Sequence, residues 1–184
     1  MKTATDILKF WFSETAQKYW FKSTDAFDAK IRIDFEATAI TLAGDQGLRK
    51  AWENQGAESH LALIIALDQF PRNMYRDTLG MFAWDDLALA SAKRLVKKGE
   101  DLQLSQDQRP FVYMPYMHSE TLVDQETCVE LCDARLDNEN TLKFAIIHYD
   151  IIKRFGRFPH RNIILGRETN PSEQAFLDYG GFSG

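Results

Sequence analysis

The stretch Ala57-Glu58-Ser59-His60-Leu61-Ala62-Leu63-Ile64-Ile65-Ala66-Leu67-Asp68-Gln69-Phe70 decides the fold. It is apolar around most of a helical circumference, and a helix apolar on all sides is buried on all sides. It is therefore the central helix, with Pro71 expected to prevent its continuation. Its longest apolar run, from Leu61 to Leu67, is far short of the ~20 residues that a membrane span requires.

Outward from that helix the punctuation is helical throughout. Residues 5–12 carry Ile7, Leu8, Phe10, Trp11 and Phe12 on a first short helix. Ser23, Thr24 and Asp25 supply cap side chains for a second, whose stripe of Phe27, Ile31, Phe35, Thr38 and Leu42 ends at Gly44. A short helix holds Leu48 and Trp52. After the central helix, a single long helix is expected over residues 78–98, with Phe82, Leu89, Ala92 and Val96 inward. Residues 100–118, holding Pro110 and Pro115, lack a regular period. Ser119 is placed to cap a helix reaching to about residue 136, and Asn140 or Thr141 to start another that ends at Gly156. Asn170-Pro171-Ser172-Glu173 reads as an N-cap, a first-position proline and a capping-box acid. No alternating strand flanked by turn residues competes. The expectation is one all-α domain over residues 1–184: about eight helices in antiparallel pairs, forming a tetratricopeptide-like right-handed array.

Composition narrows the function classes. The chain has 184 residues, long enough to bury roughly 70% of the surface its unfolded form exposes. Thirteen Phe, four Trp and six Tyr supply a large core. A net charge of −5 speaks against general nucleic-acid affinity, which needs a positive field. No secretory leader pattern opens the sequence, and no membrane association is expected. Cys128 and Cys132 are the only cysteines. Four residues apart on a helix, they form no disulfide framework and are expected to be reduced, metal-free core residues. A cytoplasmic location follows from these readings.

Three strings carry a family resemblance. They are Leu67-Asp68-Gln69-Phe70-Pro71-Arg72-Asn73-Met74-Tyr75-Arg76; Phe111-Val112-Tyr113-Met114-Pro115 with His118-Ser119-Glu120; and Phe155-Gly156-Arg157-Phe158-Pro159-His160-Arg161-Asn162 with Leu165-Gly166-Arg167. With the opening Ile7-Leu8-Lys9-Phe10-Trp11-Phe12, they resemble the bacterial proteins grouped as domain of unknown function 924. The resemblance spans nearly the whole chain. It implies an all-α, tetratricopeptide-like fold and no known activity. The Trp/Leu-Gly/Tyr signature of true tetratricopeptide repeats is absent.

Several residues invite a chemical reading. Phe70-Pro71-Arg72-Asn73 and Phe158-Pro159-His160-Arg161-Asn162 echo one another, each expected as a turn after a helix with Arg and Asn just beyond a proline. Asp68, expected at the unfavourable end of its helix dipole, either locks its turn or orients Arg72 in a ligand pocket. His118 and Glu120 flank Ser119 at a helix start whose N–H groups suit an anion, a place that Glu120 itself is able to fill. Residues 143–167 hold six Lys and Arg against Asp150 alone, and residues 119–139 hold seven Asp and Glu against Arg135 alone. These segments either neutralise each other or are solvated faces. His148 reads as a core histidine with one hydrogen bond.

The expected ligand-binding set is therefore Asp68, Arg72, Glu120, Arg157, His160 and Arg161, with His118 and His160 as candidates for moving protons. No metal site or cofactor is expected: the zincin, di-iron and deaminase patterns are all incomplete. Two functions remain open. One is a helical binding or scaffold domain engaging a protein or an anionic small molecule. The other is an enzyme acting on a phosphate- or carboxylate-bearing substrate. Far-UV circular dichroism is expected to give a predominantly helical spectrum. A strand-dominated spectrum would overturn the fold reading.

Overall fold

The computed structural model describes residues 1–22 and 24–182, so Ser23 lies outside the described residues. Among these, ten α-helices and no strand are present: α1 (Ala4–Trp11), α2 (Glu14–Gln17), α3 (Asp25–Gly44), α4 (Gln46–Glu53), α5 (Ala57–Met74), α6 (Asp85–Lys97), α7 (Pro110–Met117), α8 (Leu122–Arg135), α9 (Glu139–Phe155) and α10 (Pro171–Asp178). The two beyond the expected eight are α2 and α7. The chain forms two compact units, Met1–Pro115 and Tyr116–Gly184.

In the first unit α5 is the hub, packed by α1, α3, α4 and α6. Every residue from Leu61 to Leu67 has no exposed surface. The expected α3 stripe is buried in full, and Thr24 caps it by accepting the Phe27 N–H. Phe70 links α5 to α1 and α3, with its ring 5.7 Å from Trp11 and 4.8 Å from Phe35. Offset and edge contacts of this kind add to the area the rings bury.

Five sequence expectations are corrected. Pro71 does not end α5, which runs one turn further to Met74. Proline cannot donate to the carbonyl four residues back and crowds it, but the Arg72 guanidinium bonds the neighbouring Asp68 carbonyl at 2.7 Å and supports that turn. Asp68 is consequently not in the last turn, and the dipole penalty expected there does not apply. Residues 78–98 are not one helix: a 3₁₀ turn at Leu79–Phe82 precedes α6. A side chain at Gly80 would meet the Tyr75 ring at 2.9 Å, a closeness only glycine allows. The buried face of α6 is Ala88, Ser91, Ala92 and Leu95, rotated from the stripe expected. Finally, residues 110–117 are helical, because Pro110 stands in the first turn, where no N–H is needed.

The second unit is built on α8 against α9, with a core of Ile151, Ile152 and Phe158 covered by Ile147, Phe155, Phe176 and Phe182. Thr121, not Ser119, stands at the N-cap of α8, while the Ser119 hydroxyl accepts the Thr121 N–H and donates to Asp124. Asn138 caps α9 by accepting two N–H groups. Asn170 and Glu173 form the expected capping box of α10. Gly156 ends α9 with φ of 70°, a left-handed position suited to glycine.

Leu67→Ala removes a side chain with no exposed surface from the middle of α5. It is expected to cost ~2–5 kcal/mol in urea unfolding, through lost transfer energy and a residual cavity. A cost below ~1 kcal/mol would remove Leu67 from the core.

Candidate functional site

The site residues named from sequence fall in both units. Asp68 and Arg72 belong to the first. Asp68 is fully buried near the proline turn of α5. Its Oδ2 accepts the Gln69 amide at 2.6 Å, and its Oδ1 lies 3.2 Å from Arg72. Arg72 reaches across to Asp85 at the start of α6 and is held at 2.9 and 3.0 Å by both carboxylate oxygens. Burial alone would lower the Arg72 pKa, and the charges of Asp68 and Asp85 more than reverse it. Asn73 and Arg76 both bind Asp28 of α3, so the end of α5 is fixed by acidic side chains on two helices.

The two Phe-Pro segments differ in form. Phe70-Pro71 lies inside α5, whereas Phe158-Pro159 leads a 3₁₀ turn at Pro159–Arg161 after α9 has ended. In the second unit that turn is anchored by Glu120. Its Oε1 accepts the Phe158 N–H at 2.9 Å, and Arg167 grips both oxygens at 2.9 and 2.7 Å. Burial would raise the Glu120 pKa, but Arg167 and the Phe158 amide outweigh it and hold the group below its ordinary value.

Around this anchor the chain gathers further basic groups. The Arg161 guanidinium lies over the Phe158 ring at 4.4 Å, a cation–π distance. His160 is tilted beside Phe158, with ring centroids 5.6 Å apart, and its Nδ1 is buried without a hydrogen-bond partner. His148 is buried, as expected, with Nδ1 2.8 Å from the Phe144 carbonyl. Its ring sits 4.5 Å from Phe182. Burial pushes the pKa of each of these two histidines down to about 4. Arg161 and His118 oppose protonation of both, and Glu120 partly offsets this at His160. Five side chains, His118, His148, His160, Arg161 and Arg167, thus share a neighbourhood with Glu120.

Arg157 makes its bonds elsewhere in the second unit. It grips Glu173 at 2.7 and 2.9 Å and bonds the Glu168 carbonyl. Glu173 also accepts Asn162 and the Asn170 N–H. This geometry, led by Arg157, lowers the Glu173 pKa to about 2.

A polar network that the sequence reading did not single out crosses α4, α5 and α6. His60 is fully buried, with Nε2 3.0 Å from the Ser91 carbonyl and 2.9 Å from its hydroxyl. The Ser91 hydroxyl donates to Glu53 at 3.1 Å, and Arg94 grips Glu53 at 2.9 and 2.6 Å. Nδ1 of His60 faces Glu100 at 3.7 Å. Burial holds the His60 pKa below its ordinary value. The signal available was a single histidine inside the most apolar helix, where it has to find a partner. Cys128 and Cys132 are buried free thiols. Their mutual hydrogen bond, then burial, raises the Cys128 pKa well above the usual value. Among the described residues no group of three or more His, Cys, Asp or Glu is arranged to hold a metal ion, and no helix is long and apolar enough to cross a membrane.

These shifts fix how stability depends on pH. The unfolded chain binds protons at His148 and His160 from pH ~6.5 downward, whereas the folded chain resists until about 4. Their contribution is whole above ~6.5 and lost as pH falls to about 4. The Glu173 contribution is whole above ~4.5 and lost as pH falls towards about 2. Urea midpoints are expected to decline in two stages on acidification. Arg157→Met should shrink the lower stage, to which Glu120 and Glu53 also contribute, and leave the upper. A flat profile between pH 6.5 and 4 would place both histidines in solvent.

No curated protein sequence matches the chain. The solved structure of a protein of unknown function from Agrobacterium tumefaciens is similar, at 40% sequence identity and a TM-score of 0.88, covering 96% of this chain and 97% of that one. A family model described as a bacterial protein of unknown function, DUF924, matches residues 7–181. The chain therefore belongs to the DUF924 family.

Proposed function

We propose that the protein is a cytoplasmic helical binding domain, with its helix pairs in a tetratricopeptide-like array, whose second unit takes an anionic small molecule. The observation that carries this is a cluster of polar and basic groups around the Phe158-Pro159 turn, in which the buried Nδ1 of His160 has no hydrogen-bond partner. Glu120 is the carboxylate there, and Phe158 and Arg167 already occupy its oxygens. His148 and His160 are held neutral by burial. An external carboxylate or phosphate there would be attracted to the Arg161 guanidinium and would favour the protonated form of His160. The ligand contacts are assigned to His118, Glu120, His160 and Arg161, with Glu120 holding the turn in register. Arg157, Asp68 and Arg72 enter the proposal as supports for their turns, because each already has an oppositely charged partner at hand.

One observation favours an enzymatic variant of the same reading. The buried Nδ1 of His160 has no hydrogen-bond partner, and the ring is neutral at pH 7. A bound anion would raise its pKa from about 4 towards neutrality, the range in which a histidine transfers protons efficiently.

The test is a titration of the full chain with phosphate, sulfate and acetate, followed by thermal unfolding and by the histidine Cε1–H resonances. An anion that binds only the folded state raises the unfolding temperature by mass action and moves the His148 and His160 midpoints upward. Arg161→Lys keeps the charge but loses the planar fork, and is expected to weaken the effect about tenfold while the fold survives. If no anion moves either the unfolding temperature or the histidine midpoints, the cluster is not a ligand site.

A further inference from the structure

In the first unit, α4 and α6 both pack on α5 and leave a groove of about 210 Å³ lined by Gln46, Arg49, Lys50, Glu53, Leu87, Ala90 and Arg94. The α4 residues are spaced at positions i, i+3, i+4 and i+7, so they share one helix face. None of the residues singled out from sequence lines it. We infer that this groove binds a carboxylate carrying a short apolar chain.

The charge distribution points to an anion. Three cations face the groove against Glu53. That carboxylate is engaged from α6: Oε1 accepts Arg94 and the Ser91 hydroxyl, and Oε2 accepts Arg94 again. It bonds neither Arg49 nor Lys50. Arg49 is held in place without being neutralised, because one of its nitrogens bonds the Leu42 and Ala43 carbonyls at 2.7 Å. A guanidinium fixed by neutral carbonyls keeps its charge and its remaining donors for a ligand. Lys50 pairs with no carboxylate among the described residues. Such an arrangement, in a protein whose net charge is −5, is local and oriented before any ligand arrives.

The floor selects the ligand class. Leu87 and Ala90 present apolar surface, and the stems of Arg49, Lys50 and Arg94 extend it. A bare inorganic anion would leave that surface wet, whereas a carboxylate with a short hydrocarbon chain covers it and meets the cations at its head. The volume lies below the ~300–1,000 Å³ of drug-sized sites, which sets the ligand at small-metabolite size. The site has its own residues, so it stands or falls independently of the second-unit cluster.

The experiment is an NMR titration of the full chain with hexanoate, and with inorganic phosphate in parallel. Hexanoate is expected to shift the backbone amides of Lys50, Leu87 and Ala90 saturably, and phosphate to leave them in place. Lys50→Met removes one charged partner and should weaken hexanoate binding about tenfold. Ala90→Leu fills the floor without changing charge and should abolish binding, with circular dichroism verifying the fold. Arg161→Met, in the second unit, should leave hexanoate binding unchanged. The inference is overturned if hexanoate leaves those amides in place, if phosphate shifts them equally, if Ala90→Leu still binds, or if Arg161→Met abolishes binding.

Discussion

α5 is enclosed by protein along nearly its whole length, with all but Glu58 and Arg72 of its residues buried, so each polar group on it has to be answered by another side chain. An unanswered buried polar group costs ~1–3 kcal/mol, and a buried charge more. That constraint shapes the helices around it. His60 draws Ser91 from α6, and Ser91 in turn brings Glu53 from α4. Asp68 is answered by Gln69 and Arg72, and Arg72 by Asp85. Asn73 fixes Asp28 of α3. The apolar residues of α5 supply driving force without direction. Its few polar ones set where α3, α4 and α6 lie along it.

The same economy produces the groove between α4 and α6. The Glu53–Arg94 pair and the Ser91 bond tie the two helices at one level of α5. Beyond that tie, Arg49 and Lys50 extend along the α4 face with Leu87 and Ala90 opposite. Ala90 is small, so the floor stays open.

In the second unit the corresponding role falls to Glu120. One carboxylate holds the Phe158 backbone and the Arg167 side chain, which fixes the turn that carries His160 and Arg161. Glu173 does similar work for the following segment through Arg157, Asn162 and its own capping box. Acidic side chains pin turns throughout this protein because a carboxylate accepts several bonds at once, from backbone and guanidinium alike.

The all-α class was legible because apolar spacing, Gly and Asn-Pro caps act over a few residues. The burial of α5 and the α3 stripe followed from the same local pattern. The ends of helices were less legible. Pro71 reads as a stop in isolation, yet the helix passes it to Met74, with Arg72 bonding the Asp68 carbonyl beside it. Pro110 reads as a loop residue, yet it opens α7. The candidate site was half visible. Sequence brought His160 and Arg161 forward by their place in a Phe-Pro turn, and Glu120 by its place at an expected helix start. The partners Arg167 and Glu173, the His60–Ser91–Glu53 network and the groove could not be read, since they depend on which helices meet. Sequence determined what lies close along the chain, because propensity and capping are local. Tertiary structure alone decided which distant carboxylate answers which cation: those choices lie 13 to 48 residues apart and are settled only when burial removes water as the alternative partner.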